Sequence, residues 1–232
     1  MKLNLSKKKK QNSIIRRYEK VKNYFPDSGS MLEIGQGDGN FLKFIKKKYP
    51  RIDIAAYDKD KSSTARVKNS LDIKINDLND GIIKGYKFDI ICLFHVFEHI
   101  YDPNIFLSQI KQLMHSNSFI IIEVPSLFDP LISIYNCQDY IEFYFQSQHP
   151  FIYSHSSLNK VLSFSGFCLD SIISYQRYGL DNHLQWMSNG CPGGNSDYEK
   201  LIHPIADNYI SILESSDKTD TVIWVGKPTN ND

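Results

Sequence analysis

The sequence predicts one α/β domain built on a doubly wound, mostly parallel sheet. Three observations carry the prediction. Strand-like and helix-like segments alternate through residues 1–125, the pattern of βαβ crossovers. Apolar runs such as Phe119-Ile120-Ile121-Ile122 are nearly unbroken, as in strands covered on both faces. A glycine cluster, Gly35, Gly37 and Gly39, stands between the first strand and the first crossover helix. In such sheets that is where backbone can approach a ligand closely.

Taken in order, Gln11 to Phe25 has helical spacing, with Ile14, Tyr18, Val21 and Phe25 on one face. Pro26 and the Asp27-Ser28-Gly29 cluster end that helix. Met31 to Ile34 is a short strand stopping at the glycines. Phe41 to Tyr49 is helical, and Ile52 to Tyr57 is a strand ending at Asp58. A polar helix over Lys61 to Ser70 leads to a weak strand, Ile73-Lys74-Ile75. Phe88 to Phe94 is a strong apolar strand, Ile105 to Met114 an amphipathic helix, and Phe119 to Val124 a buried strand closed by Pro125. A helix over Ser156 to Ser165, a turn at Gly166, and strands at Cys168 to Tyr175 and Thr221 to Val225 complete the pattern. The stretch 178–200 is rich in Gly, Asn and Ser and reads as a long loop.

Bulk composition narrows the function classes. The 232 residues suit one large domain, and the 41% hydrophobic content fills a core without disulfides. The domain is expected to run over residues 1–232, with a helical extension at 1–28 and insertions at 126–150 and 176–218 on the ligand side of the sheet. The 27 basic and 26 acidic side chains leave a net charge of +1, which argues against a nucleic-acid partner. The one basic run, Lys7 to Lys10, reads as a solvated end. The cysteines, Cys92, Cys137, Cys168 and Cys191, form no CxxC pair, so neither a structural zinc nor a disulfide framework is expected. No apolar stretch reaches the ~18 residues of a membrane span, and no signal-peptide core follows the basic start. The expectation is a reduced, cytoplasmic protein.

The run Leu32-Glu33-Ile34-Gly35-Gln36-Gly37-Asp38-Gly39 can hold an anionic group, because the following helix start presents free N–H groups. It departs from the dinucleotide fingerprint G-x-G-x-x-G, since Asn40 stands where the last glycine would be. Asp58 ends the next strand, where a carboxylate can accept both ribose hydroxyls of an adenosine.

Glu33-x-Gly35-x-Gly37-x-Gly39 after a strand resembles motif I of class I S-adenosylmethionine-dependent methyltransferases. The segment Asp89 to Pro103, with Phe97-Glu98-His99 and Asp102-Pro103, is similar to that family's "LEH…DP" stretch. Val124-Pro125 resembles the end of its fifth strand. His149-Pro150-Phe151, Tyr153-Ser154, and Leu158 to Gly166-Phe167 resemble the stretch before its last strand pair. The resemblance covers residues 30–175 and implies a Rossmann-like sheet of seven strands whose last strand is antiparallel. Gln176-Arg177-Tyr178, Asn182-His183-Leu184, Trp186 and Pro192-Gly193-Gly194 look like members found with surface-carbohydrate biosynthesis.

The resemblance implies S-adenosylmethionine as cofactor. The glycine loop, with Glu33, Gly35, Gln36, Gly37 and Gly39, would cradle its methionine end. Asp58, with Lys59 beside it, would bind the ribose, and Asp77 with Leu78 the adenine. Phe94 and His95 would lie near the sulfonium. The implied reaction is methyl transfer to an oxygen of a capsule or lipopolysaccharide precursor, such as a sugar hydroxyl or a phosphoramidate. The acceptor would be a small molecule or a nucleotide-linked carbohydrate. N- or C-methylation of a metabolite, a nucleotide-cofactor oxidoreductase and a non-catalytic binding module are the alternatives.

Histidines supply the candidate bases. His95-Val96-Phe97-Glu98-His99 matches H-x-x-E-H, and on a helix these three positions would share a face. No distant third ligand is legible, so a zinc peptidase is rejected and no metal is assigned. A divalent metal holding acceptor oxygens, as in some methyltransferases with a similar segment, is the minor reading. His149 is the first choice for the general base, because an imidazole suits proton removal near pH 7; His95 and His99 follow. His183 could serve the same end or bind the acceptor, whereas His115, His155 and His203 read as non-chemical. Tyr140, Phe143, Tyr144, Arg177, Tyr178 and Trp186 either line the acceptor pocket or pack between helices.

Overall fold

The computed structural model describes residues 2–70, 74–75, 86–193 and 196–229. In chain order they form helix α1 (Lys2–Val21), strand β1 (Gly29–Ile34), α2 (Asn40–Lys48), β2 (Ile52–Tyr57), α3 (Lys61–Ser70) and β3 (Lys74–Ile75). Then come β4 (Phe88–Phe94), α4 (Pro103–Gln112), β5 (Met114–Pro125), α5 (Pro130–Ser133), α6 (Gln138–Tyr144) and α7 (His155–Phe164). The chain closes with β6 (Phe167–Tyr175), α8 (Leu180–Asn189), α9 (Ser196–Ile202), α10 (Ala206–Ser215) and β7 (Thr221–Pro228).

The strands make one mixed sheet in the order β3-β2-β1-β4-β5-β7-β6. Six strands of six to twelve residues carry it, while β3 is a two-residue edge paired to β2 through Ala55 and Ala56. The expected seventh strand is therefore only a short pairing among the described residues. Pairing is parallel from β3 to β5, and β7 runs antiparallel to both β5 and β6, as the resemblance implies. The chain leaves β1 in one direction toward β2 and returns on its other side as β4. That reversal makes the carboxyl ends of β1 and β4 the place where an open sheet binds ligands.

Side-chain alternation on the central strands supplies both faces. Ile91 and Leu93 pack with Leu107, Ile110, Leu158 and Leu162 of α4 and α7. Ile90, Cys92 and Phe94 pack on the other side with Tyr18 and Val21 of α1 and Phe41 and Ile45 of α2. The expected helix face is thus correct for Tyr18 and Val21; Phe25 is buried too, but α1 stops at Val21 and a 3₁₀ turn, Lys22–Tyr24, carries the chain to it. The helix begins at Lys2, nine residues before the predicted start. Helix starts obey capping chemistry: the Asp102 carboxylate accepts from Ile105 N at 2.9 Å with Pro103 in the first turn, and Ser154 and Ser157 form a reciprocal capping box at α7.

The predicted loop at 178–200 is wrong. Leu180–Asn189 is helical and buries His183 and Trp186, and a second helix follows at Ser196–Ile202. Gly190, at φ 59°, ends the first of them in the left-handed conformation that glycine adopts freely. The Gly, Asn and Ser content reflects that stop, not an absence of helix. Trp186 packs with Leu131, Tyr140 and Tyr144 in a separate cluster above the carboxyl edge of the sheet.

Candidate active site

The glycine loop joins β1 to α2 with three residues at positive φ: Gly35 at 74°, Gly37 at 51° and Gly39 at 66°. A Cβ on Gly35 would run into the Val96 side chain, so that position needs glycine for shape and for φ. Around Gly37 nothing lies within 4 Å of where a Cβ would stand, which leaves an open cradle at the sheet edge. The loop is tied to β2 from both sides. Gly35 N donates to Tyr57 O at 2.7 Å and Gly37 N donates to the Asp58 Oδ2 at 2.9 Å. Asp58 Oδ1 accepts from Asp60 N at 2.9 Å, and Ser63 donates its hydroxyl to Gly37 O. Lys59 is exposed beside this turn.

Two buried side chains at the loop have polar atoms without a partner. Both amide atoms of Gln36 and Oε2 of Glu33 are enclosed and unpaired among the described residues. Burial pushes the Glu33 carboxyl up to about 8, against the pull of Arg17 and with a further push from Asp58. Orphaned buried polar groups of this kind are costly unless a ligand completes them. Asp77 and Leu78, the expected adenine contacts, lie outside the described residues.

Beyond β4 the backbone turns at His95, a non-glycine residue at φ 56°. His95 is not on an α-helix; Val96 precedes a single 3₁₀ turn, Phe97–His99. The shared helical face expected for H-x-x-E-H is therefore not formed. Instead, His95 Nε2 lies 2.8 Å from Glu123 Oε1 and also meets the Arg177 guanidinium, while Nδ1 is 3.4 Å from Glu98 Oε1. The Phe94 ring is packed away beneath Arg17, at 4.5 Å, and edge-on to Phe41.

Glu123 is fully buried on β5 and is gripped by Arg17 through two hydrogen bonds of 2.6 Å. Burial alone would raise its carboxyl, but Arg17 and then His95 overcome this and hold it well below the usual carboxylate range. Arg16 anchors the same helix by donating to Gln176 O at 2.6 Å and Arg177 O at 3.3 Å. The Asp220 carboxylate accepts from the Arg177 and Tyr178 amides at 2.9–3.1 Å, fixing the segment that carries Arg177 to His95. Arg17 and Glu123 were not among the expected site residues. The one available signal was a lone glutamate inside the apolar run Phe119 to Val124.

The His99 and His149 rings stand side by side, 4.9 Å between centroids. His99 Nδ1 lies 2.8 Å from Gln148 O and His149 Nδ1 lies 3.4 Å from Tyr144 O. A carbonyl only accepts, so in each neutral ring this pairing puts the hydrogen on Nδ1 and leaves Nε2 with its lone pair. His183 is different: it is buried, bonded through Nδ1 to the Tyr209 hydroxyl at 2.6 Å, and burial pushes it down to about 4. His115 Nε2 lies 3.0 Å from Asp89 Oδ1, and His155 Nε2 lies 2.9 Å from the Ser174 hydroxyl. Tyr140 donates to Asp129 Oδ2 at 2.7 Å and Tyr144 donates to Ser126 O at 2.8 Å, so both hydroxyls serve the helix cluster. Phe143 and Tyr178 remain exposed.

The chain matches the family described as "Methyltransferase domain" over residues 7–172. Comparison with curated protein sequences gives no match. Among solved structures, a SAM-dependent methyltransferase from Archaeoglobus fulgidus is similar at 20% identity and TM-score 0.61, covering 94% of each chain. The YcgJ protein from Bacillus subtilis is similar at 13% identity and TM-score 0.57, over 96% of this chain and 100% of that one. The plantazolicin methyltransferase BpumL, solved in complex with SAH, is similar at 19% identity and TM-score 0.54, over 93% of this chain and 82% of that one. At these identities the structural likeness speaks for the fold.

Proposed function

The chain belongs to the methyltransferase-domain family, and from that premise we propose that it uses S-adenosylmethionine to methylate an oxygen of a surface-polysaccharide precursor. The observation that carries the cofactor reading is the open cradle at Gly37, braced by Asp58, on a loop whose Gln36 and Glu33 have buried, unpaired polar atoms. These residues fit the group. The loop amides and the Gln36 amide would hold its methionine end. Asp58, held at the loop by Gly37 N and Asp60 N, would accept from the ribose hydroxyls. Bound there, S-adenosylmethionine supplies a methyl group already activated on a sulfonium.

The protein's remaining task is placement and proton removal. The Arg17–Glu123 clamp holds α1, and the Asp220 carboxylate holds the Arg177 and Tyr178 amides, over the carboxyl edge of the sheet. His149, whose Nδ1 is turned to the Tyr144 carbonyl, takes the proton of the acceptor hydroxyl on Nε2, a contribution of ~10²–10⁴-fold. A phosphorylated or nucleotide-linked carbohydrate is supported by the Arg177 guanidinium at this edge, which suits phosphate oxygens. The resemblance of residues 176–194 to members found with surface-carbohydrate biosynthesis supports the same class. Turnover against nucleotide-linked sugars and phosphorylated precursors, read as S-adenosylhomocysteine formed, tests it. Methylation of unphosphorylated amines alone would overturn the acceptor reading.

A further inference from the structure

We propose that Glu98, His99 and His149 form a binding site for a divalent cation of the zinc type. Their donor atoms lie within 4.8 Å of one another, although His149 comes 50 residues after His99 in the chain. Two ligands at ~2.0–2.1 Å in a tetrahedral site stand ~3.3 Å apart, so small side-chain swings close the gap. This is the distant third ligand that the sequence did not reveal.

Three further observations point to a cation. Glu98 is 1% exposed and its Oε2 has no hydrogen-bond partner among the described residues, an unpaired carboxylate oxygen at the site itself. The Tyr153 hydroxyl is likewise buried and unpaired, and it feels the Glu98 charge. Both imidazoles turn Nδ1 to a backbone carbonyl, which orients Nε2 as metal-binding histidines are oriented by their outer partners. Two imidazoles and one carboxylate suit zinc, cobalt or nickel better than magnesium or calcium, which take oxygen ligands. His99 is exposed, so the site stays open on the side from which an acceptor oxygen enters, as in catalytic zinc centres. That role rests on the methyltransferase reading, whereas metal binding does not. With the cation held, His149 Nε2 would be a ligand in place of a base, and the cation would make the acceptor hydroxyl acidic enough to release its proton to solvent.

Tag-free, metal-stripped protein titrated with Co²⁺ alone tests the site by visible absorption. The expected result is ligand-field bands that saturate at one equivalent. Affinity should fall by about 100-fold in His99→Ala and in His149→Ala, and stay unchanged in His203→Ala, an exposed position elsewhere. Far-UV circular dichroism checks that each variant is folded, and His99→Ala, at an exposed position, is the decisive one. Absence of the bands, or bands that persist in His99→Ala, overturns the proposal. S-adenosylmethionine calorimetry on His99→Ala separates the two readings: cofactor binding with loss of Co²⁺ supports both. Loss of cofactor binding in wild type, with Co²⁺ binding intact, supports the metal site and sinks the methyltransferase reading.

Discussion

Arg17 and Glu123, 106 positions apart, meet in a two-point ion pair with Nε–Oε2 and Nη2–Oε1 both at 2.6 Å. The carboxylate is wholly buried, and the guanidinium also lies over the Phe94 ring. The first helix is thereby pinned across the carboxyl ends of β4 and β5, beside the cradle.

Removing one partner should be far worse than removing both. Arg17→Leu leaves Glu123 charged and enclosed, and should cost about 3–5 kcal/mol in urea unfolding, whereas Arg17→Leu with Glu123→Leu should recover much of that loss. Equal destabilisation by the single and double variants would contradict the account of the pair.

The pH dependence separates Glu123 from Glu33. The Glu123 carboxyl is depressed in the folded state, so its stabilisation is complete above the ordinary glutamate range and is lost as pH falls through its lower folded value. The Glu33 carboxyl is raised to about 8, from an ordinary value of 4.5. The folded state then keeps a proton that the unfolded chain releases, so stability should fall as pH rises from 4.5 toward 8 and level off above it. Urea midpoints across that window should flatten in Glu33→Gln; an unchanged slope would exclude Glu33 as its source.

Glycine substitutions at the loop should divide by what surrounds them. Gly35→Ala meets Val96 and a φ of 74°, and should lower stability by about 1–3 kcal/mol. Gly37→Ala meets only the strain of its φ of 51° and should cost less, while its methyl enters the cradle and weakens cofactor binding. Thermal melts and calorimetry on both variants check this, and equal melting temperatures would argue against the Val96 contact.

His149→Gln should lower kcat by ~10²-fold or more and leave S-adenosylmethionine affinity nearly intact. The same loss in His95→Gln with His149→Gln silent would move proton removal to the Glu123 side of the site.

Much of the fold was legible because its local signals agree. Apolar runs and the three glycines each mark an element that tertiary packing then respects, whereas the Asp102-Pro103 cap starts α4 two residues before the Ile105 that apolar spacing suggested. The 178–200 helices were hidden because Gly190, a helix stop, and polar residues around it outweigh the spacing of His183 and Trp186. The glycine loop is contiguous in sequence and could be read there as a turn between β1 and α2. The Arg17–Glu123 pair and the meeting of His99 with His149 depend on which strand ends come together, and no local spacing encodes that.

The most direct test of the central claim is calorimetric titration of S-adenosylmethionine into wild type and Asp58→Ala. Saturable binding to wild type is expected, with a loss of about 1–3 kcal/mol, roughly 5- to 150-fold, in the variant, because charge-assisted hydrogen bonds to the ribose and the brace on Gly37 N are removed together. No binding to wild type, or equal affinity in the two proteins, would contradict that claim.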